Sequence, residues 1–460
     1  MSNLLNEKID LKEFYKKFLV IGIPLMIQQL VSSSLNFIDN LMIGRLGTDY
    51  IASVGFANSV YRILDLIIFG ICSGMGVFIA QYYGKRNFEL IRKILGLMVR
   101  AAFAVSMLFA LVAFFKADFI IGIFSKDSEV LRIGTSYLKV VVPCYIFYSI
   151  SSSMGFSLRA MGLTKFPMIS ASIGVATNTF FNYCLIYGNL GLPKLEEKGA
   201  ALATILARFV EMCIILTIIY KKDFNLKGKL ESYLHIPKNL IKEIIKVSSP
   251  VIFTEMLWIL GIISLSVAYA KLGTVQSACV QIADVVSAIS AILFMGISNA
   301  ASVIIGHTIG SGDKNKVIAY SKQIILVAFG MATFSFILVQ LLTGNIIALY
   351  KLSPDIALLA EKTLRVYGIF VFFKMVNWAI LIGLFRAGGD TKVAFYLDIL
   401  PLWLYGVPLA FIGAYFKVPI FILIGLAESC EVIKLIFALW RYKTLHWICL
   451  LYTSDAADEL

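Results

Sequence analysis

Charge is what this chain has least of: only 15% of its 460 residues are Asp, Glu, Lys or Arg, whereas 59% are apolar. With a mean hydropathy of +0.86, that scarcity excludes a soluble globular domain. Histidine is rarer still. The three residues, His235, His307 and His446, stand far apart without ligand-like spacing, which argues against a metal centre built on them. Seven cysteines are scattered with no C-x-x-C pair, so neither a redox motif nor a zinc knuckle is expected, and they read as small apolar fillers. No G-x-x-x-x-G-K-[ST] run is present, which removes a built-in ATP motor. Nor is a cleavable leader expected. The first apolar run follows Lys16 and Lys17, has spanning length and lacks a small-residue cleavage site. No block of like charge accounts for the net charge of +13, because the basic residues are spread through the loops; nucleic acid is not expected as a partner.

What the chain has instead is a succession of apolar runs, each long enough to cross a hydrocarbon core of about 30 Å. Twelve are expected, at roughly 18–43, 51–82, 94–115, 133–157, 167–188, 199–220, 247–270, 278–309, 323–350, 363–385, 394–416 and 418–440. With both termini in the cytoplasm, the inner segments hold about 24 Lys or Arg and the outer ones about 10, the bias expected for a protein of the cell membrane.

Sliding the sequence against itself by 226 positions sets Pro24 on Pro250, Leu46-Gly47-Thr48 on Leu272-Gly273-Thr274, Ala52 on Ala278, Gly70 on Gly296 and Gly84 on Gly310. One position further along, R-A-M-G-L-T-K at 159–165 meets R-A-G-G-D-T-K at 386–392. A duplication of this kind points to a transporter with its substrate site between the repeats. Six spans per copy bring both copies in from the same side of the membrane. The fold expected is all-α: a polytopic membrane protein of twelve transmembrane helices in two pseudo-symmetric six-helix lobes around a central cavity. The amino-terminal lobe is assigned to 1–220, a basic cytoplasmic linker to 221–246 and the carboxy-terminal lobe to 247–448.

Acids inside the membrane are the residues to follow, since a carboxylate at a helix centre costs about 2.5–3.5 kcal/mol unless it has a partner or lines a cavity. Gln28, Ser32, Asn36 and Asp39 recur at helical spacing on one face of the first span. Asp39 lies about 30 Å from the inner end of that span, and Glu255, in span seven, about 14 Å past Lys246, so the two lobes carry acids at different depths. Asn178 and Asn182 share a face of span five, and Ala200 and Thr204 a face of span six. Asn58, Arg62 and Asp65 form a further stripe in span two. Asp284, Lys374, Asn377, Asp398, Glu428, Glu431 and Lys434 supply the polar positions of the second lobe. Arg62 with Asp65 and Glu431 with Lys434, each three apart, are the pairs expected to serve structure.

Taken together, I-D-N-L-M-I-G-R-L-G at the end of the first span, G-V-F-I-A-Q-Y-Y-G at 76–84, the twin R-A-x-G-x-T-K loops and N-x-x-x-N-Y-C-L-I-Y-G at 178–188 resemble the multidrug and toxic compound extrusion transporters over about 15–445. That family sits within the multidrug, oligosaccharidyl-lipid and polysaccharide exporter superfamily. The resemblance implies efflux of organic, often cationic compounds in exchange for inward Na⁺ or H⁺, with no enzymatic activity and no cofactor beyond the coupling ion. It places the cation site, suited to Na⁺ or a proton, at Asp39, Asn178, Asn182, Thr204 and the Ala200 carbonyl. In the second lobe it points to Glu255, Asn377 and Asp284 for a cation or the substrate, while Met375 stands where some members have an acid. Gln28, Ser32, Asn36, Tyr61, Tyr145, Phe147, Met256 and Trp258 are the candidate substrate contacts. The partners expected are small organic molecules, a monovalent cation and the lipid bilayer, with the monomer as the working form. The alternative within the superfamily is a flippase of lipid-linked oligosaccharides; a membrane-embedded enzyme is a more distant reading, for want of paired catalytic groups. The last stretch, 449–460, departs from the family and reads as a non-native, adaptor-derived tail.

Overall fold

A computed structural model describes residues 11–222, 224–228 and 231–451, the side chain of Asn36 excepted. It is built from helices, and twelve span-like segments follow one another. These are α1 (Leu11–Gly44), α2 (Thr48–Gly84), α3 (Phe88–Phe115), α4 (Ser128–Val141, continued as Pro143–Ala160), α5 (Lys165–Tyr187) and α6 (Glu196–Lys221), then α7 (Lys238–Ala270), α8 (Thr274–Gly310), α9 (Lys314–Ala348), α10 (Pro354–Ile380), α11 (Thr391–Pro401, resumed as Val407–Tyr415) and α12 (Ile420–Glu428, continued as Cys430–Thr444). Among the described residues nine of these are singly long and apolar enough to span a membrane, and α4, bent by 49° at Pro143, makes up to ten. The two left over, α5 and α12, are those with Asn178 and Asn182, or Glu428, Glu431 and Lys434, in their interiors. Those polar side chains are hydrogen-bonded or ion-paired inside their own units.

The duplication is written into the backbone. Gly47 and Gly273, 226 apart, precede α2 and α8 with φ of 137° and 118°, where a Cβ would be strained. Asn87 and Asp313, again 226 apart, cap α3 and α9 by accepting the amide hydrogens of Leu90 and Lys316 at 3.1 and 3.0 Å. In the twin loops, Gly162 and Gly389 take φ of 78° and 87°, which explains why both copies keep a glycine there.

Ile23–Ser248 forms one compact unit; the residues up to Gly22 join those from Ser249 onward in the other. The first part of α1 thus packs with the carboxy-terminal helices, and the first part of α7 with the amino-terminal ones. The reason is local packing. Phe14 meets Tyr320 with ring centroids 5.0 Å apart, Tyr15 donates to Gln323 at 2.9 Å, and a Cβ on Gly22 would sit 3.5 Å from that of Ala300. In the other unit, Gly74 allows Ser248 so close that an added Cβ would lie 2.6 Å away. Both crossing points stand two residues before a proline, Pro24 or Pro250.

Two π-helical stretches interrupt the second unit, Leu381–Arg386 at the end of α10 and Leu402–Gly406 in α11. The latter follows Pro401, whose missing N–H breaks the regular ladder. At the carboxy-terminal end, Trp447 is fully buried and the Cys449 amide donates to the Gly388 carbonyl at 2.8 Å. The first residues of the stretch assigned to a non-native tail thus rest on the R-A-G-G-D-T-K loop, while 452–460 lie outside the described residues.

Candidate functional site

In the unit Ile23–Ser248, Asp39 of α1, Asn178 and Asn182 of α5 and Thr204 of α6 form one continuous hydrogen-bonded chain. The Asn182 amide donates to the Asp39 carboxylate at 2.6 Å and to Asn178 Oδ1 at 2.9 Å. Asn178 Nδ2 donates to Thr204 Oγ1 at 3.3 Å, and the Thr204 hydroxyl donates to the Ala200 carbonyl at 3.0 Å. Both asparagines are 1% exposed. Helical geometry produces this row, because steps of four on α5 and α6 stack the polar groups. Close approach of the two helices holds it together: a Cβ on Gly199 would sit 2.5 Å from the Leu185 carbonyl oxygen.

One atom in this chain is left over. Asn182 Oδ1 is buried and has no hydrogen-bond partner. An orphaned amide oxygen costs about 1–3 kcal/mol, so its presence beside a carboxylate calls for a ligand that wants oxygens. A carboxylate, two amide oxygens, a hydroxyl and a backbone carbonyl are a donor set for a hard cation; with one carboxylate the set suits a monovalent ion better than a divalent one.

Beside this row lies a second polar cluster that periodicity did not reveal. Arg208, one turn beyond Thr204 on α6, pairs with Glu211 at 2.7 Å, and its guanidinium lies 5.1 Å from the Tyr148 ring centroid and 5.9 Å from that of Tyr61. Asp65 accepts the Tyr148 hydroxyl. The Arg62–Asp65 pair expected from spacing is not formed: Arg62 is exposed, and Tyr148 takes the carboxylate. The available signal was an i,i+3 pair of opposite charges, Arg208 and Glu211, inside an apolar run.

The candidate substrate contacts are dispersed. Gln28 accepts from Arg159 at 3.3 Å, Ser32 is half-buried, and Asn36 lies outside the described side chains. Tyr145 is fully buried against Tyr61, at 6.0 Å between centroids, which makes it packing rather than a contact surface. Phe147 packs on Phe209 at 5.3 Å, and Met256 is 40% exposed.

The other unit holds a denser network. Glu255 is paired with Arg386 at 3.0 Å, and Asn377 donates to both the carbonyl and the carboxylate of Glu431 at 2.8 Å. Lys374 bonds Glu428 at 2.8 Å; Lys434 bonds Asp398 at 2.8 Å and Glu431 at 2.9 Å. The Glu431–Lys434 pair expected from spacing is therefore formed, within a larger triad. A cavity of about 240 Å³ opens among these groups, walled by Trp258, Phe294, Trp378 and Tyr367 and bordered by Asp284 and Lys374. Among the described residues, no cluster of three His, Cys, Asp or Glu suits a metal ion.

A duplicated bundle of membrane-length helices, with buried oxygen-rich and charged clusters inside each unit, defines a multi-pass membrane transporter rather than an enzyme. The MatE family pattern matches residues 24–184 and 250–412, the same stretch of each repeat, and the chain belongs to that family. It is 26% identical over 408 residues to a probable multidrug resistance protein NorM of Thermotoga maritima, covering 88% of this chain and 87% of the relative. Against its namesake in Streptococcus pneumoniae strain R6 the figures are 27% over 412 residues, 87% and 88%. The fold matches that of the Vibrio cholerae MATE transporter VcmN with a TM-score of 0.85 over 94% of this chain and 97% of that one, at 18% identity.

Proposed function

We propose that this transporter is a secondary antiporter of the cell membrane, exporting organic and often cationic compounds while Na⁺ or H⁺ moves inward at Asp39. The observation that supports it is the Asp39–Asn182–Asn178–Thr204 row with its unpartnered Asn182 oxygen. The names carried by the relatives agree with drug efflux.

The chemistry follows from Asn182. In the arrangement described, its N–H holds the Asp39 carboxylate and its oxygen has no hydrogen-bond partner. A cation reaching Asp39 needs that oxygen, so the amide must turn, giving up its bonds to Asp39 and Asn178. A proton on Asp39 adds an O–H donor for which the Asn182 oxygen is an available acceptor, while the other carboxyl oxygen can go on accepting the Asn182 N–H. A cation exchanges the link between α1 and α5 for a different one, and a proton removes the charge that strengthens it. Ion binding is thereby tied to the position of α1, as coupling requires: an ion that bound both arrangements equally would drive nothing.

Asp39→Asn is the test. In reconstituted vesicles under an imposed Na⁺ or H⁺ gradient, each applied alone, the variant is expected to insert and fold yet lose gradient-driven movement of a fluorescent organic cation. Full transport in that variant would remove Asp39 from the coupling role.

A further inference from the structure

Arg208 follows Thr204 by four residues on α6, so it stands on the face of the Asp39 row, one turn or about 6 Å further along the axis. An arginine stays charged wherever a protein stays folded. The charge of this one acts on Asp39, which accepts a single hydrogen bond and forms no ion pair among the described residues. Three helices hold the guanidinium where it is. Glu211 accepts from its Nη1 at 2.7 Å, and the side chains of this pair are 24% and 13% exposed. The rings of Tyr148 and Tyr61 lie 5.1 and 5.9 Å from it and 5.2 Å from each other, edge to face. Asp65 accepts the Tyr148 hydroxyl and so fixes that ring, while Ser170 of α5 anchors Glu211 by donating to its carbonyl at 3.0 Å. The titratable groups around Arg208 are thus Glu211 on its own helix, Tyr61 and Asp65 on α2, and Tyr148 and Cys144 on α4.

Order along α6 decides what this charge does. From Thr204, Arg208 is four residues away and Glu211 seven, about 6 and 10.5 Å along the axis, so the pair turns its positive end toward the row. It opposes an arriving cation, though by less than a bare guanidinium would. We propose that Arg208 is a positioning residue for the coupling ion: it sets how tightly the Asp39 row holds that ion, and Glu211 trims the effect, so that the ion can leave as well as arrive. The proposal rests on the reading of Asp39 as the coupling site, whose regulation it names, and lies wholly within Ile23–Ser248. Na⁺ and H⁺ each bring one positive charge, so the sign is the same for either. A cluster that merely packed α2, α4 and α6 together would behave otherwise. Removing either member of its ion pair would strand the other, and both variants would suffer alike.

The test is an ion titration of transport by the full chain in proteoliposomes, read as uptake of ethidium. Vesicles are loaded with graded NaCl, balanced by choline chloride to constant ionic strength, or with buffers of graded pH without Na⁺. Arg208→Gln is expected to lower the half-saturating concentration of the driving ion at least threefold, and Glu211→Gln to raise it at least threefold. Arg208→Lys, which keeps the charge but not the planar fork, is expected to stay within twofold of the wild type. The double variant Arg208→Gln/Glu211→Gln leaves no charge stranded and is expected to hold the ion more tightly than the wild type, because it removes the nearer, opposing charge. Shifts in the same direction for both single variants, or in neither, overturn the proposal, as does a lysine variant that behaves like the glutamine one. A double variant that holds the ion no more tightly than the wild type overturns it even where neither single variant folds. In each of these cases transport that still requires Asp39 leaves the coupling reading standing; ion-driven uptake that persists in Asp39→Asn removes that reading and this role with it.

Discussion

At the scale of single residues, Asn182 carries more of the argument than the acid it serves. Asp39 has one hydrogen-bond donor from the described side chains, whereas Asn182 bonds two partners and keeps a buried oxygen free. Truncating Asn182→Ala removes that oxygen and the donor together, so the ion loses a ligand and Asp39 loses its restraint. Apparent affinity for the coupling ion is expected to fall at least tenfold, about 1.4 kcal/mol, while affinity for an organic cation changes less than threefold. Ion titrations of vesicle transport alongside direct drug binding distinguish the two. A change confined to drug binding would mean that Asn182 belongs to the substrate path. Helical spacing put Asn178 with Asn182 and Ala200 with Thr204 on shared faces, whereas joining them with Asp39 into one row was what the family resemblance implied. The setting of Arg208 was legible in neither way, because its partners Glu211, Tyr61 and Tyr148 come from two further helices as well as its own, and no local period records such a meeting.

Elements set how closely those residues can approach. α5 and α6 meet at Gly199, the residue just before Ala200, where the Leu185 carbonyl leaves no room for a side chain. Gly199→Ala must push the start of α6 away from α5, and the groups displaced first are Ala200 and Thr204. Overpacking of this kind costs about 1–3 kcal/mol. The melting temperature in detergent is expected to fall, and the coupling-ion affinity to fall with it, although the substitution adds only a methyl group and touches no ligand. A variant that loses stability but keeps its ion affinity would show that the α5–α6 spacing does not define the site. The helices themselves were legible from apolar runs, but their interruptions were not. The π-helical turn at Leu381–Arg386 follows no proline, and the gap it leaves at Gly383 is filled by Ala301, whose Cβ would be 2.8 Å from an added one. That contact depends on α8, far away in the sequence.

For the whole molecule, the two repeats use one device with different charge. Each R-A-x-G-x-T-K loop supplies an arginine to the helix that follows the repeat's proline: Arg159 reaches Gln28 at 3.3 Å, and Arg386 reaches Glu255 at 3.0 Å. The first pairing leaves the amino-terminal unit's acid, Asp39, free of any arginine partner among its hydrogen bonds; the second engages Glu255 inside its own unit. The duplication was visible in the sequence, but this difference was not, since the partner of each arginine is more than 100 residues away. The ion pair is buried, with 16% of the Glu255 side chain exposed and Arg386 at 6%, and a structural role for Glu255 is what the next variants test. Removing one member of a buried pair costs about 3–5 kcal/mol, because the other charge is left without compensation. Glu255→Ala is therefore expected to lower thermal stability markedly and Gln28→Ala, which breaks one 3.3 Å hydrogen bond from Arg159 to an uncharged amide, less so, with the ion dependence of transport retained in whatever Glu255→Ala protein folds. The double variant Glu255→Gln/Arg386→Gln, which removes both charges at once, is expected to recover most of the lost stability. If Glu255→Ala instead melts like the wild type and loses its ion dependence, the carboxylate is a coupling group and the arginine only its resting partner.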